Sequence, residues 1–269
     1  MQSAAPPDPL ATPARVAFAG DWHANTRWGI SAIQYAAERG ADVIVHLGDF
    51  GYEFRAAFLD GLDRALTRTG LRLLFVDGNH EEFPVLLRYP LRGNGLRQLT
   101  SRIWHLPRGF RWVWGGVRWL ALGGAHSVDR PWREPGVSWW REETVTDADV
   151  DRAVTGGPAD VLICHDCPAG VPIPGLEESA HLWPAEELVA ANAHRARVRT
   201  VVDAVRPRAI WHGHFHRRYA AAADLGYGPV TVNGLDCDGS TLDRNVEVVS
   251  LDELRANDEP DVAASEQRR

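Results

Sequence analysis

Five times along the chain a short apolar run ends in a block of Gly, Asp, Asn or His. Arg15–Ala19 leads into Gly20-Asp21-Trp22-His23 and Val43–Leu47 into Gly48-Asp49. Leu71–Val76 leads into Asp77-Gly78-Asn79-His80-Glu81, Val161–Cys164 into His165-Asp166, and Ala209–Trp211 into His212-Gly213-His214-Phe215-His216. Runs this short and this apolar predict strands. Between the first three lie helical stripes. Trp28–Arg39 repeats apolar residues at Ile30, Ile33 and Ala37, and Phe54–Thr69 at Phe54, Phe58, Leu62 and Leu66, with Gly70 as a stop. A βαβαβ order predicts right-handed crossovers and a largely parallel sheet. Ligands of such sheets bind beyond the carboxyl ends of the strands, where the five blocks can converge.

The rest of the chain completes a fold around these runs. Phe110–Trp114 and Val117–Leu122 flank Gly115-Gly116, a hairpin signal. Trp112, Trp114 and Trp119 alternate along it, which predicts core positions for at least some of them. Thr146–Val154 predicts a short helix with Thr146 and Asp149 as a capping pair, and Ala185–Val205 a long one. Tyr219–Ala223, Val230–Val232 and Val246–Ser250 predict closing antiparallel strands. The expected architecture is one α/β domain over residues 14–251, a four-layer α-β-β-α sandwich of two mixed sheets with flanking helices. Residues 1–13, rich in Pro and Ala, are expected to be disordered, and the polar tail 252–269 flexible.

Composition narrows the function. The 269 residues carry a formal net charge of -7, and no long basic run appears, so strong nucleic-acid binding is not expected. The three cysteines, Cys164, Cys167 and Cys237, are too few for a disulfide framework. No apolar stretch approaches the ~20 residues that span a bilayer, and the first residues do not read as a secretory signal. A cytoplasmic setting and no membrane partner are the expectations.

The blocks offer metal donors. Asp supplies an anionic oxygen, Asn a neutral carbonyl oxygen and His a neutral nitrogen, a mixture that suits Mn, Fe, Zn or Ni. Asp21 and His23, two apart in extended backbone, point the same way, as do His214 and His216. The long loop 123–145 holds Arg130, Arg133, Trp132, Trp139 and Trp140. Arg130, His126 and Trp139 are the candidates for gripping a phosphate or stacking on a base. Its segment Gly123–Arg141 is expected to form one wall of the cleft.

The order Asp-x-His, Gly-Asp, Gly-Asn-His-Glu, His, Gly-His-x-His resembles that of the calcineurin-like metallophosphoesterases, with all five blocks present between residues 20 and 216. The resemblance implies two divalent ions, one held by Asp21, His23 and His216 and the other by Asn79, His165 and His214, with Asp49 between them. It further implies hydrolysis of a phosphate ester by a hydroxide held between the ions, with His80 as the catalytic histidine and Glu81 orienting it. Within that superfamily, Ile103–Gly124 and His165-Asp166-Cys167-Pro168 resemble RNA lariat debranching enzymes, although His23 stands where many of those carry Cys. That points to phosphodiesters ahead of phosphomonoesters, and to a small phosphorylated, nucleotide-like substrate. The alternative is a catalytically silent metal-scaffold binding protein, against which the intact His80 argues.

Overall fold

The computed structural model describes residues 6–256. One sheet contains β1 (Arg15–Ala19), β2 (Val43–His46), β3 (Arg72–Phe75), β4 (Arg97–Gln98), β5 (Ile103–His105) and β12 (Val246–Ser250), in the order β12-β1-β2-β3-β5-β4. The second contains β6 (Arg111–Trp114), β7 (Val117–Leu122), β8 (Val161–Cys164), β9 (Ala209–His212), β10 (Tyr219–Asp224) and β11 (Pro229–Gly234), in the order β10-β11-β9-β8-β7-β6. Both are mixed. β1, β2, β3 and β5 run parallel, with β12 and β4 antiparallel at the two edges. β7, β8, β9 and β11 run parallel, with β6 and β10 antiparallel at theirs. β11, expected as antiparallel, therefore pairs parallel with β9 and antiparallel only with β10.

The helices are α1 (Thr26–Glu38), α2 (Ala56–Thr69), α3 (Phe83–Leu86), α4 (Asp147–Thr155), α5 (Leu176–Ser179), α6 (Ala185–Val205), α7 (Leu242–Asn245) and α8 (Leu251–Ala256). Strand alternation sorts the apolar residues into three layers. Val16 and Phe18 of β1, Val43 and Val45 of β2, Trp119 of β7 and Trp211 of β9 meet between the sheets. Ala17, Ala19, Ile44 and Leu73 face outward, in one cluster with Ile33 and Leu62 of α1 and α2. Leu120, Leu162 and Ile210 face the other way, in a cluster with Ala153 of α4 and Val198 and Val202 of α6. This is the expected four-layer sandwich. Its inner layer is unusually aromatic: Phe18 stacks on Trp211 with ring centroids 3.9 Å apart, and Trp112 on Trp119 at 5.5 Å. The hairpin tryptophans are thus core, as their alternation predicts.

The ends differ from expectation. Of the segment 1–13, residues 6–13 are described, and they pack against the fold. Arg72 Nε donates to the Pro9 carbonyl at 3.1 Å, Trp114 Nε1 donates to that of Leu10 at 3.0 Å, and Leu10 rests on the inner core. The apolar Leu10 and the demand of two buried donors for acceptors outweigh the Pro/Ala composition. At the other end α8 buries Leu251 and Leu254. The remainder of the expected tail lies outside the described residues.

Candidate metal centre

Every block sits at the carboxyl end of its strand, the first three on one sheet and the last two on the other. Asp21 and Asp49 are buried, and so are Asn79 and His165. His216 Nε2 lies 3.2 Å from Asp21 Oδ2, and His23 Nε2 lies 3.6 Å from Asp49 Oδ2. His165 Nε2 lies 3.3 Å from Asp49 Oδ1 and 3.0 Å from Asn79 Oδ1. The His214 ring is 5.1 Å from that of His165. Two donor groups result, Asp21 with His23 and His216, and Asp21 with Asp49 and His165, each with its ligand atoms within 4.8 Å of one another. All seven residues expected as ligands thus gather in one place.

The backbone reaches this arrangement through unusual conformations. His23, Asp49, His214 and His216 have φ of 46°, 52°, 68° and 51°, the left-handed region that costs non-glycine residues of order 1–3 kcal/mol each. Cross-links hold them there. The amides of Trp22 and His23 both donate to the Asp49 carbonyl, at 3.1 and 2.9 Å, and the Asp238 amide donates to that of Asp21 at 2.8 Å. Two glycines are sterically required: a Cβ on Gly78 would sit 2.0 Å from Asp49 Oδ1, and one on Gly213 2.1 Å from Asp21 Oδ1.

The electrostatics call for a cation. Asp21 and Asp49 are carboxylates out of water, and burying such charges is costly without compensation. Asp49 meets His23, His165 and the His80 amide; Asp21 meets His216 and the His214 amide. Burial works against charge on His165, but Asp49 outweighs it and lifts its pKa to about 9. Burial likewise opposes charge on His23 and His216, yet hydrogen bonds to Asp238 and Asp21 raise them to about 11 and about 10. His214, where burial dominates, is lowered to about 3. Divalent ions, with this oxygen and nitrogen donor set, would offset the same two buried carboxylates.

Several supports escape the sequence reading. Asp238 accepts from His23 Nδ1 at 2.7 Å and from Asn25 Nδ2 at 2.8 Å, fixing that ring with its Nε2 toward the site. Ser127 accepts from Asn79 Nδ2 at 2.9 Å and itself donates to Glu143. The Leu47 carbonyl lies 2.7 Å from His165 Nδ1. Only Asp238, in Leu235-Asp236-Cys237-Asp238, left a sequence trace, an acidic pair just past a strand.

Other expectations are corrected. Glu81 does not reach the His80 ring; its carboxylate accepts from the amides of Phe50 at 2.8 Å and Gly51 at 2.9 Å, bracing the Asp49 turn. Burial and nearby Asp49 push it up to about 8. His80 itself stands at the mouth, its Nε2 3.8 Å from Asp129 Oδ2 and its pKa lowered by burial. His126 and Arg130 do not face the centre. Both pair with Glu187 of α6, His126 Nε2 at 2.7 Å and Arg130 Nη2 at 2.6 Å, while Trp139 flanks the Arg130 guanidinium at 5.8 Å. A buried carboxylate on the long helix holds both side chains.

The centre opens into a cleft of about 920 Å³. Of the segment Gly123–Arg141 only Val128 and Asp129 line it; the opposite wall is Val171–Trp183 with Leu188 and Phe215. Cys164 and Cys167 are buried free thiols that burial raises above their usual pKa, as inert packing groups rather than ligands.

A two-sheet α/β sandwich with a histidine-carboxylate cluster at its strand ends defines the class, that of metal-dependent phosphoester hydrolases. The calcineurin-like phosphoesterase family model matches residues 14–218, and the chain belongs to that family. Its members use divalent metal ions to hydrolyse phosphate esters. A dimetal phosphatase from Danio rerio shares the fold with a TM-score of 0.54 at 12% identity, over 90% of this chain and 93% of that one. The structure of TT1561 of Thermus thermophilus gives 0.49 at 14% identity, over 89% of this chain and 100% of that one. No curated protein sequence matched. No helix among the described residues is long and apolar enough to cross a membrane.

Proposed function

We propose that this protein hydrolyses phosphodiesters in preference to phosphomonoesters at a dinuclear divalent metal centre. Asp21, His23 and His216 would hold one ion, Asn79, His165 and His214 the other, and Asp49 both. The observation that carries the reading is the pair of adjoining donor groups around the buried Asp21 and Asp49; Asp21 belongs to both groups, and the shared role of Asp49 is argued from its approach to His23 Nε2 at 3.6 Å and His165 Nε2 at 3.3 Å. When bound, two divalent ions polarise phosphoryl oxygens and lower the pKa of a water between them. The chain supplies the rest. Asp238, Ser127 and the Leu47 carbonyl orient His23, Asn79 and His165. His80, which lines the cleft, would act at the departing ester oxygen, as a general acid or by stabilising its charge. The cleft has room beyond the phosphoryl group for a second ester substituent, which a diester carries and a monoester lacks.

The test is turnover of bis(nitrophenyl) phosphate and nitrophenyl phosphate by protein supplied in turn with Mn²⁺, Fe²⁺, Zn²⁺ and Ni²⁺. A higher kcat/KM on the diester, lost on chelation and restored by metal, is expected. No turnover with any metal would return the chain to the silent-scaffold alternative, and a faster monoester would reverse the preference.

A further inference from the structure

We propose that the cleft selects phosphodiesters whose retained ester group, the one that is not the leaving group, carries a flat ring and a further anion, with Trp183 and Phe215 taking the ring and Arg217 meeting the anion. This rests on the phosphoesterase reading of the same site and names its substrate class.

Size comes first. Pockets of roughly 300–1,000 Å³ enclose ligands of drug size. The cleft, at about 920 Å³, is far larger than a phosphoryl group requires. Its lining includes the polar Asp49, Asn79, His80 and His216 of the metal centre and, besides these, the apolar Ile173, Leu176, Trp183 and Phe215. Trp183 and Phe215 are half-buried, with surface left to cover. Aromatic walls of this kind take flat rings, because stacking and apolar burial reward them together.

The arginines decide where charge goes. Arg130 is held by Glu187 and Arg133 by Glu143, the latter at 2.8 Å. Arg195 lines the cleft, but its guanidinium donates to the carbonyls of Cys167, Pro168 and Val171. Arg217 differs. It lines the same cleft, directly follows His216, is exposed, and makes no hydrogen bond or ion pair among the described residues. Glu178 shares that rim: a Cβ on Gly175 would lie 3.6 Å from Arg217 Nε and 3.8 Å from Glu178 Oε2, yet the two close no ion pair. A guanidinium left unpaired beside a ligand cleft is suited to bidentate contact with phosphate or carboxylate.

The experiment uses the full chain loaded with Mn²⁺ and three esters that share one nitrophenol leaving group: methyl nitrophenyl phosphate, thymidine 5′-(nitrophenyl phosphate), and the latter bearing a 3′-phosphate. We expect kcat/KM to rise about tenfold from the first to the second, as one stacked ring provides. It should rise about fivefold more with the 3′-phosphate, the scale of a partly exposed ion pair. Trp183→Ala should collapse the first ratio and Arg217→Ala the second. Calorimetry of thymidine 5′-phosphate against thymidine 3′,5′-bisphosphate should give the same fivefold preference in Kd, lost in Arg217→Ala. Equal kcat/KM on all three esters, or equal Kd for the two nucleotides, would overturn the proposal while leaving the phosphoesterase reading standing. Absence of turnover on the methyl ester as well would overturn that reading instead, and the calorimetry would still decide whether Arg217 selects the anion.

Discussion

At the scale of single residues, the two buried aspartates are not equivalent in the proposed assignment. Asp49 lies within 3.6 Å of His23 Nε2 and 3.3 Å of His165 Nε2, side chains assigned to different ions. Asp49→Ala should therefore lose both ions on elemental analysis, and Asp21→Ala chiefly one. Two ions retained in the Asp49 variant would sink the shared role. His80→Ala should keep its metals and lose about 10²–10⁴ in kcat, less with a nitrophenol leaving group that needs no proton. Equal loss on good and poor leaving groups would assign His80 to charge stabilisation instead. Asp238→Ala removes the partner of His23 Nδ1, and carboxylates in that position are worth 10–100-fold in metal affinity. Competition with a fluorescent chelator should show that loss, with Asp238→Asn recovering part of it. An unchanged affinity would leave Asp238 as a clip for the loop.

Local chemistry decides the elements one by one. In α4, Thr146 Oγ1 accepts from the Asp149 amide at 3.2 Å while Asp149 Oδ2 accepts from the Thr146 amide at 2.9 Å. Thr146→Ala should cost about 1 kcal/mol, seen as a lower urea midpoint at unchanged slope, and Thr146→Ser should restore it. That cap was legible because both halves lie three residues apart. β1, α6 and the hairpin were legible for the same reason, since period and stop signals are local. The five donor blocks were legible because each ends its own strand. β4, only two residues long, carries no period, and the short helices α3, α5 and α7 are fixed by what they pack on. The capture of Arg130 and His126 by Glu187 was hidden too. It joins residues 57 and 61 positions apart, and nothing in either segment names the other.

At the scale of the whole molecule, the proposed centre joins the two sheets. Asp21, His23, Asp49 and Asn79 extend from β1, β2 and β3, whereas His165, His214 and His216 extend from β8 and β9. Each ion would therefore take ligands from both sheets, and its binding energy would resist their separation. A ligand bound only by the folded state stabilises by RT ln(1 + [L]/Kd), about 2.7 kcal/mol at a hundredfold excess over Kd. For a chain of this size that corresponds to roughly 5–10 °C in Tm for each ion. Chelation should lower Tm by that amount or more, and added Mn²⁺ or Zn²⁺ should restore it in proportion to the logarithm of its concentration. Asp49→Asn isolates the effect: it keeps the side chain's volume but weakens both ions, so its Tm should respond little to chelator. If Tm of the parent chain ignores both chelator and added metal, the ions do not fasten the sheets together, and the inner apolar layer with the hydrogen bonds between the blocks carries that junction without them.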